Sequence, residues 1–136
     1  MQATARTVGR QLTMPSPEVH VVIVDDDLPV RRALARLLTS AGFRVTVCGS
    51  AEDFLIQSDD LAPSCLLLDV HLPRLTGLEL TQLLERLEMR VPIVFITADR
   101  DVARSAQMRE AGCPCLLKPI DADALLAAIS TATAHV

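Results

Sequence analysis

Five short runs of apolar, mostly β-branched residues are separated by longer segments in which apolar residues recur every three or four positions. The short runs lack the inside–outside alternation of a sheet with one wet face, which indicates a parallel sheet covered on both sides. Strand–helix units joined by short connections predict a doubly wound α/β fold. The predicted strands are residues 19–24, Arg44–Cys48, Cys65–Asp69, Ile93–Thr97 and Cys115–Leu117.

Most of the intervening segments carry a clear apolar stripe. The first stripe spans residues 30–41 and is followed by Gly42, a residue typical of a helix C-terminus. Ser50 begins a Ser-x-x-Asp pattern that predicts the cap of a short second helix. The third stripe spans residues 80–87 and the last spans residues 122–129. These stripes predict helices that pack on the sheet.

The segment before the fifth strand is different. We predict one helix over about residues 100–111, with an apolar face of little more than Val102 and Ala106. A helix with so few apolar residues gains little from packing. It should therefore be the least firmly anchored helix, either as a trivial weak helix or as an element that moves.

Composition narrows the classes of function. Half of the residues are hydrophobic but only three are aromatic, so the core must consist of Leu, Val, Ile and Ala. The net charge is −4 and the chain has no Trp or Tyr, so it lacks the cationic surface and most of the stacking groups that nucleic-acid binding uses. The longest apolar run, residues 124–129, is far shorter than the roughly 20 residues of a membrane-spanning helix. We expect neither nucleic acid nor a membrane as a direct partner.

The length suits one domain, which we place at residues 18–136, after a flexible N-terminal extension over residues 1–17. The extension lacks the apolar segment of a secretory signal. The cysteines have mostly apolar neighbours and no second pair or nearby His that would complete a zinc site. We expect buried, reduced thiols and a cytoplasmic protein. The four cysteines are Cys48, Cys65, Cys113 and Cys115.

Polar side chains stand where four of the predicted strands end. The carboxyl ends of parallel strands meet at one edge of a sheet, where ligands bind in open α/β folds. Taken singly, each residue is typical of a turn, a helix cap or the surface, but all of them converge on one rim. They are Asp25, Asp26 and Asp27 after the first strand, Asp69 ending the third, Thr97 ending the fourth and Lys118 after the fifth.

The charges at this rim suggest its chemistry. Two carboxylates about 5 Å apart repel by roughly 3 kcal/mol at an effective dielectric constant of 20. A divalent cation relieves that repulsion, and an all-oxygen site with few protein ligands suits Mg²⁺. With Mg²⁺ and Lys118 present, a carboxylate could attack a phosphoryl group, while Thr97 donates a hydrogen bond to the product.

At these residues the sequence resembles the receiver domain of two-component response regulators. The resemblance extends from about Val19 to Ile129, with motif separations close to those of the family. It implies a flavodoxin-like sheet of five parallel strands in the order 2-1-3-4-5, with helices on both faces. The motifs are Val24-Asp25-Asp26-Asp27, Leu67-Leu68-Asp69-Val70-His71-Leu72-Pro73 with Gly77, Ile96-Thr97-Ala98 and Lys118-Pro119.

The resemblance also implies a set of Mg²⁺ ligands. Asp26 and Asp69 would bind the ion directly, and Asp25 would bind it through a water molecule. His71 would contribute its backbone carbonyl, so its imidazole is not needed as a ligand. Asp27 matches a third acidic position of the family, to which we assign a secondary role.

By the same resemblance, Asp69 would accept a phosphoryl group from a sensor histidine kinase or phosphotransfer protein. Thr97 and Lys118 would hold the phosphoryl oxygens, with the Lys118-Pro119 bond in the cis form. The domain would not be an enzyme with a separate substrate, although it would catalyse its own phosphorylation and slow dephosphorylation. Its output would be a phosphorylation-dependent contact with a downstream protein or a second copy, through the face of helix 4, strand 5 and the helix after it.

Two features depart from the family pattern. Receivers usually carry Tyr or Phe three residues before the lysine, and here that residue is Cys115. The stretch over residues 112–118 is one residue short and contains Pro114, which cannot donate to a strand ladder. We therefore expect a short or irregular fifth strand and an output mechanism without the usual aromatic switch.

Two other functions remain open from the sequence. A degenerate receiver would bind Mg²⁺ and act as an interaction module that does not depend on phosphorylation, an alternative motivated by Cys115. An aspartate-nucleophile phosphohydrolase would need a second acid two residues after the nucleophile, where this chain has His71. The receiver reading holds equally for a complete single-domain regulator and for a piece of a longer one.

Overall fold

The computed structural model describes residues 19–134. The predicted N-terminal extension over residues 1–17 lies outside this range. The strands are β1 (His20–Val24), β2 (Arg44–Cys48), β3 (Cys65–Asp69), β4 (Ile93–Thr97) and β5 (Cys115–Leu117). The helices are α1 (Leu28–Ser40), α2 (Ala51–Leu61), α3 (Gly77–Arg86), α4 (Arg100–Ala103), α5 (Ala106–Ala111) and α6 (Ala122–Thr133).

The five strands form one sheet in the order β2-β1-β3-β4-β5, and every neighbouring pair is parallel. The expected α/β architecture and strand order are confirmed. Four strands have the predicted bounds, and β1 begins one residue later, at His20. β1, β3 and β4 are buried along their whole length, which explains why each is apolar apart from one terminal residue.

Alternate residues of the central strands pack into two separate hydrophobic cores, one on each face of the sheet. Val22 and Val24 of β1 lie in one core with Phe54 of α2. Val21 and Ile23 point to the other face, where they belong to the core of α1 and α6. The sheet is therefore covered on both sides, and its polar rim is left at the strand ends.

The helices begin at polar caps that the sequence supplies. The side chain of Ser50 accepts a hydrogen bond from the Asp53 amide, as its pattern predicts. Thr76 and Glu79 form a reciprocal capping box at the start of α3. At the end of α1, Gly42 has a φ of 99°, a left-handed conformation that glycine adopts without strain.

The prediction of a single helix over residues 100–111 is wrong, because the segment forms two short helices, α4 and α5. The hydroxyl of Ser105 accepts a hydrogen bond from the Met108 amide and so starts a second helix after one turn. Asp99 caps the first by accepting from the amides of Asp101 and Val102. The thin packing is confirmed, since α4 buries no residue and α5 buries only Met108.

The fifth strand is short, as expected. It has three residues, all only partly buried, and the carbonyl of Pro114 just before it accepts a hydrogen bond from Phe95. Across the described residues, no helix combines the length and apolar character needed to cross a membrane. The cysteines are free thiols there; Cys48 and Cys65 are buried, whereas Cys113 and Cys115 are only partly buried.

Candidate phosphoacceptor and metal site

The strand register brings the predicted polar residues to one rim. Val24, the last residue of β1, pairs with Leu68, so Asp25 follows β1 beside the position of Asp69. On the other side, Thr97 ends β4 and its carbonyl accepts a hydrogen bond from the Lys118 amide at 2.8 Å. The four side chains that the sequence assigned to separate strand ends therefore share one edge of the sheet.

Asp25 is fully buried and tightly held. Its Oδ1 accepts a hydrogen bond from the amide of Asp27 at 2.9 Å, and its backbone carbonyl accepts from Nη1 of Arg31 at 2.8 Å. Burial raises the pKa of the Asp25 carboxyl, and the nearby charge of Asp69 adds to this, while the Asp27 amide and Lys118 oppose it. The carboxylate is thus costly to keep ionised unless a cation lies beside it.

Asp69, the last residue of β3, is almost fully buried. Its Oδ1 accepts a hydrogen bond from the His71 amide at 2.9 Å, which fixes one carboxylate oxygen. Gly77 approaches the backbone behind it so closely that an added Cβ would lie 2.5 Å from the Asp69 carbonyl oxygen. The glycine of the family motif therefore permits α3 to start against the loop that follows β3.

Lys118 bridges the two buried carboxylates. Its Nζ lies 3.0 Å from Oδ2 of Asp25 and 3.2 Å from Oδ2 of Asp69. Burial alone would lower the pKa of the lysine, but the two carboxylates outweigh it and the net direction is upward. The Lys118-Pro119 bond is cis, as the resemblance implies. A single cation thus compensates two carboxylates, which leaves the cluster one negative charge in excess.

The same cluster offers oxygen ligands for a metal ion. One carboxylate oxygen from each of Asp25, Asp26 and Asp69 lies within 4.8 Å of the others. Oδ2 of Asp25 is buried and contacts Lys118 without hydrogen-bond geometry, so no described residue donates to it. An unsatisfied buried carboxylate oxygen beside an exposed carboxylate fits a hard divalent cation such as Mg²⁺. Asp27, by contrast, is exposed and caps α1 through the Val30 amide.

Thr97 and His71 complete the rim in different ways. Thr97 is fully buried, and its hydroxyl oxygen accepts a hydrogen bond from the Asp99 amide at 3.0 Å, so the hydroxyl keeps its own proton for donation. The imidazole of His71 is exposed and lies 3.9 Å from the Asp99 carboxylate. His71 thus engages Asp69 through its backbone amide, and its ring points away toward Asp99.

Sequence reasoning missed two residues of this site. Arg31 holds the Asp25 carbonyl from α1, but in the sequence it is one of several arginines on a helix. Asp99 caps α4 and pairs with the His71 ring, although nothing in the sequence links positions so far apart. Their placement depends on side-chain directions in three dimensions, which residue spacing does not encode.

The family of the chain follows from comparisons with known proteins. The family model for the response regulator receiver domain matches residues 21–130. The chain belongs to this family. It is therefore a receiver domain of two-component signalling, as the resemblance in its motifs implied.

Relatives of the chain are regulators that are longer than it is. Nodulation protein W of Bradyrhizobium diazoefficiens is 38% identical over 122 residues, which cover 89% of this chain and 54% of that protein. Response regulator protein TmoT of Ectopseudomonas mendocina is 39% identical over 126 residues, or 92% of this chain and 57% of that protein. The chain spans about half the length of the curated relatives it matches.

Solved structures show the same fold. The crystal structure of FixJ-N is 36% identical with a TM-score of 0.78 and covers 86% of this chain and 94% of that one. The response regulator StyR is 39% identical with a TM-score of 0.77, and covers 85% of this chain and 59% of that one. The receiver fold is thus supported by sequence and by structure.

Proposed function

We propose that Asp69 accepts a phosphoryl group from a phosphohistidine of a sensor histidine kinase or phosphotransfer protein. A carboxylate oxygen of Asp69 bonds to phosphorus while the bond from phosphorus to the histidine nitrogen breaks, and the nitrogen keeps the electron pair. One observation carries this proposal: the almost fully buried Asp69 has Nζ of Lys118 3.2 Å from its Oδ2 and carboxylate oxygens of Asp25 and Asp26 within 4.8 Å. Such a site favours the arrival of an anionic group only when cations accompany it.

Mg²⁺ is the cofactor that we assign to this site. Asp26 and Asp69 would hold it directly, Asp25 through a water molecule and His71 by its backbone carbonyl. The unsatisfied oxygen of Asp25 and the surplus negative charge of the cluster support that assignment. When bound, Mg²⁺ supplies positive charge that lets a phosphoryl group approach the carboxylates.

Lys118 and Thr97 are the residues that we expect to hold the phosphoryl oxygens. Lys118 already contacts the carboxylate of Asp69. After the transfer its ammonium group can therefore contact an oxygen of the acyl phosphate without a large movement. Thr97 lies on the neighbouring strand end with a hydroxyl proton available. Both residues connect the site to α4 and β5, which pack against each other.

Output is proposed to occur through the face formed by α4, α5, β5 and α6, either with a downstream protein or with a second copy. Lys118→Ala should leave Mg²⁺ binding largely intact and uncouple phosphorylation from that contact, because Lys118 links the site to β5. Cys115 replaces the usual aromatic residue of β5, so the change must be transmitted without an aromatic rotamer.

The experiment is intact mass spectrometry after incubation with acetyl phosphate and Mg²⁺. Wild type should gain one labile phosphoryl adduct, which Asp69→Asn and the omission of Mg²⁺ should both abolish. Asp27→Asn is the matched control, because it removes a neighbouring charge, keeps a good helix cap and should still form the adduct.

Absence of the adduct in wild type, with Mg²⁺ binding retained, would contradict the proposal and favour a phosphorylation-independent interaction module. Steady turnover of a phosphate ester would instead favour a phosphohydrolase. His71, two residues after Asp69, would then be the first residue to replace.

A further inference from the structure

Most of the strongly exposed large apolar side chains belong to the elements at one edge of the sheet. Four large apolar residues are strongly exposed within residues 19–134, and three of them lie on α1, β2 and α2. They are Leu28 at 42%, Val47 at 44% and Ile56 at 83% exposure. Isolated exposed apolar residues are ordinary, so these three carry weight only together with the charges on the same three elements.

These elements border the same open edge of the sheet. β2 pairs only with β1 and is therefore an edge strand, whose outer main-chain groups have no strand beside them. Leu34 and Leu38 of α1 belong to the core on one face of the sheet. Phe54 of α2 belongs to the core on the opposite face. The two helices thus stand on either side of β2, one above the sheet and one below it.

The two helices carry opposite charges. α1 contains three arginines and no acid, and α2 contains four acids and no Lys or Arg. Arg32 and Arg36 are exposed, lie one turn apart on α1 and form no ion pair with a described residue. On α2, the exposed Asp59 and Asp60 follow Ile56 by three and four positions, so they lie on the same face of the helix. They too lack an ion-pair partner among residues 19–134.

We propose that the β2 edge, defined here as α1, β2 and α2, binds a second copy of this chain. A two-fold axis parallel to the strands exchanges the two faces of the sheet. It therefore sets α1 of each copy beside α2 of the other, and the contact between arginines and aspartates forms twice. The interface is closed and self-complementary, as a symmetric dimer requires.

The distribution of charge favours a second copy over an unrelated partner. A basic segment of an unrelated protein would neutralise the aspartates of α2 but leave the arginines of α1 without a counter-charge. An acidic segment of such a protein would neutralise the arginines of α1 but leave the aspartates of α2 without one. A second copy satisfies both helices at once and also covers Leu28, Val47 and Ile56. This edge is opposite to β5, so the contact is separate from the proposed output face.

The test is sedimentation velocity of the unphosphorylated chain over a range of concentrations. Wild type should form a dimer that weakens as salt is added. Arg32→Glu with Arg36→Glu, and separately Asp59→Lys with Asp60→Lys, should each raise the dissociation constant at least tenfold. Mixing the two variants should restore a dimer, because all α1–α2 contacts between them again join opposite charges.

Arg86→Glu with Arg90→Glu is the matched control. These arginines are also exposed and four positions apart, but they lie at the end of α3 and beyond, away from β2. The control should dimerise like wild type. A chain that is monomeric at every concentration would overturn the proposal. The proposal would also be overturned if neither charge reversal changed the dissociation constant of the dimer. The same holds if the two reversed variants did not associate when mixed.

Discussion

The central strands β1 and β3 and the edge strand β5 hold their polar rim residues in different ways. β1 and β3 are buried along their whole length and carry Asp25 and Asp69 at or just past their ends. β5 has three partly buried residues and is followed by Lys118. The neighbouring helices differ in the same sense, since α1 buries two leucines, α4 buries nothing and α5 buries Met108 alone.

We call residues 20–69 the acid-bearing half and residues 100–117 the thinly buried segment. Holding like charges at fixed separations needs a well-packed support, because repulsion pushes the carboxylates apart. A segment that reports the state of the site must instead shift at small cost, and little buried apolar surface keeps that cost small. The comparison indicates that the proposed chemistry and the proposed response rest on parts of the domain that bury different amounts of apolar surface.

The largest expected difference between the two parts is in the free energy of unfolding that is lost when a buried side chain is truncated to alanine. Phe54→Ala removes a fully buried ring from the acid-bearing half and should lower the free energy of unfolding by about 4 kcal/mol. Met108→Ala should cost about 2 kcal/mol, because the short helix α5 can collapse onto the space. Urea denaturation followed by circular dichroism measures both. Equal losses of unfolding free energy in the two variants would contradict the proposed difference between the acid-bearing half and the thinly buried segment.

A smaller effect is expected from charge. Asp69→Asn removes one of two buried carboxylates that share Lys118, so repulsion on Asp25 falls while the Asp25–Lys118 pair remains. Without Mg²⁺, we expect the variant to be more stable by about 1 kcal/mol. Thermal unfolding in the presence of a chelator measures this gain. An unchanged or lower melting temperature would contradict the picture of a strained acidic cluster.

The strand bounds were predictable because unbroken apolar runs leave few other places for a buried parallel strand. Asp25, Asp69, Thr97 and Lys118 followed from the strand ends, since parallel strands finish at one rim. The break at Ser105 was not predictable from periodicity, because a thin apolar face gives no signal of where a helix stops. The burial of His20, the first residue of β1, and the contacts of its ring were not predictable from the sequence either.

A third effect comes from His20, the first residue of β1, which lies at the opposite end of the strand from the rim. Its ring contacts the Leu61 carbonyl at 2.8 Å, the Thr46 hydroxyl at 2.7 Å and Arg44 at 3.0 Å. Burial lowers the pKa of His20, and the charge of Arg44 lowers it further, against the opposing Leu61 contact.

The unfolded chain therefore binds a proton below about pH 6.5 that the folded chain resists. Stability should fall as the pH drops below this value, by at most about 1.4 kcal/mol per unit for one proton. His20→Asn should flatten that part of the unfolding profile, measured by urea denaturation from pH 7 to pH 5. A slope that is the same in both proteins would assign the pH dependence to other groups.

Hydrogen–deuterium exchange, read by mass spectrometry with and without acetyl phosphate and Mg²⁺, is the most direct test of this account. It shows whether the thinly buried segment responds to phosphorylation while β1 and β3 stay fixed. We predict that exchange in the thinly buried segment is fast before phosphorylation and changes on phosphorylation. β1 and β3 should stay protected in both states, and Asp69→Asn should show no change anywhere. Full phosphorylation with unchanged exchange over residues 100–117, or with equal changes in β1 and β3, would contradict the account.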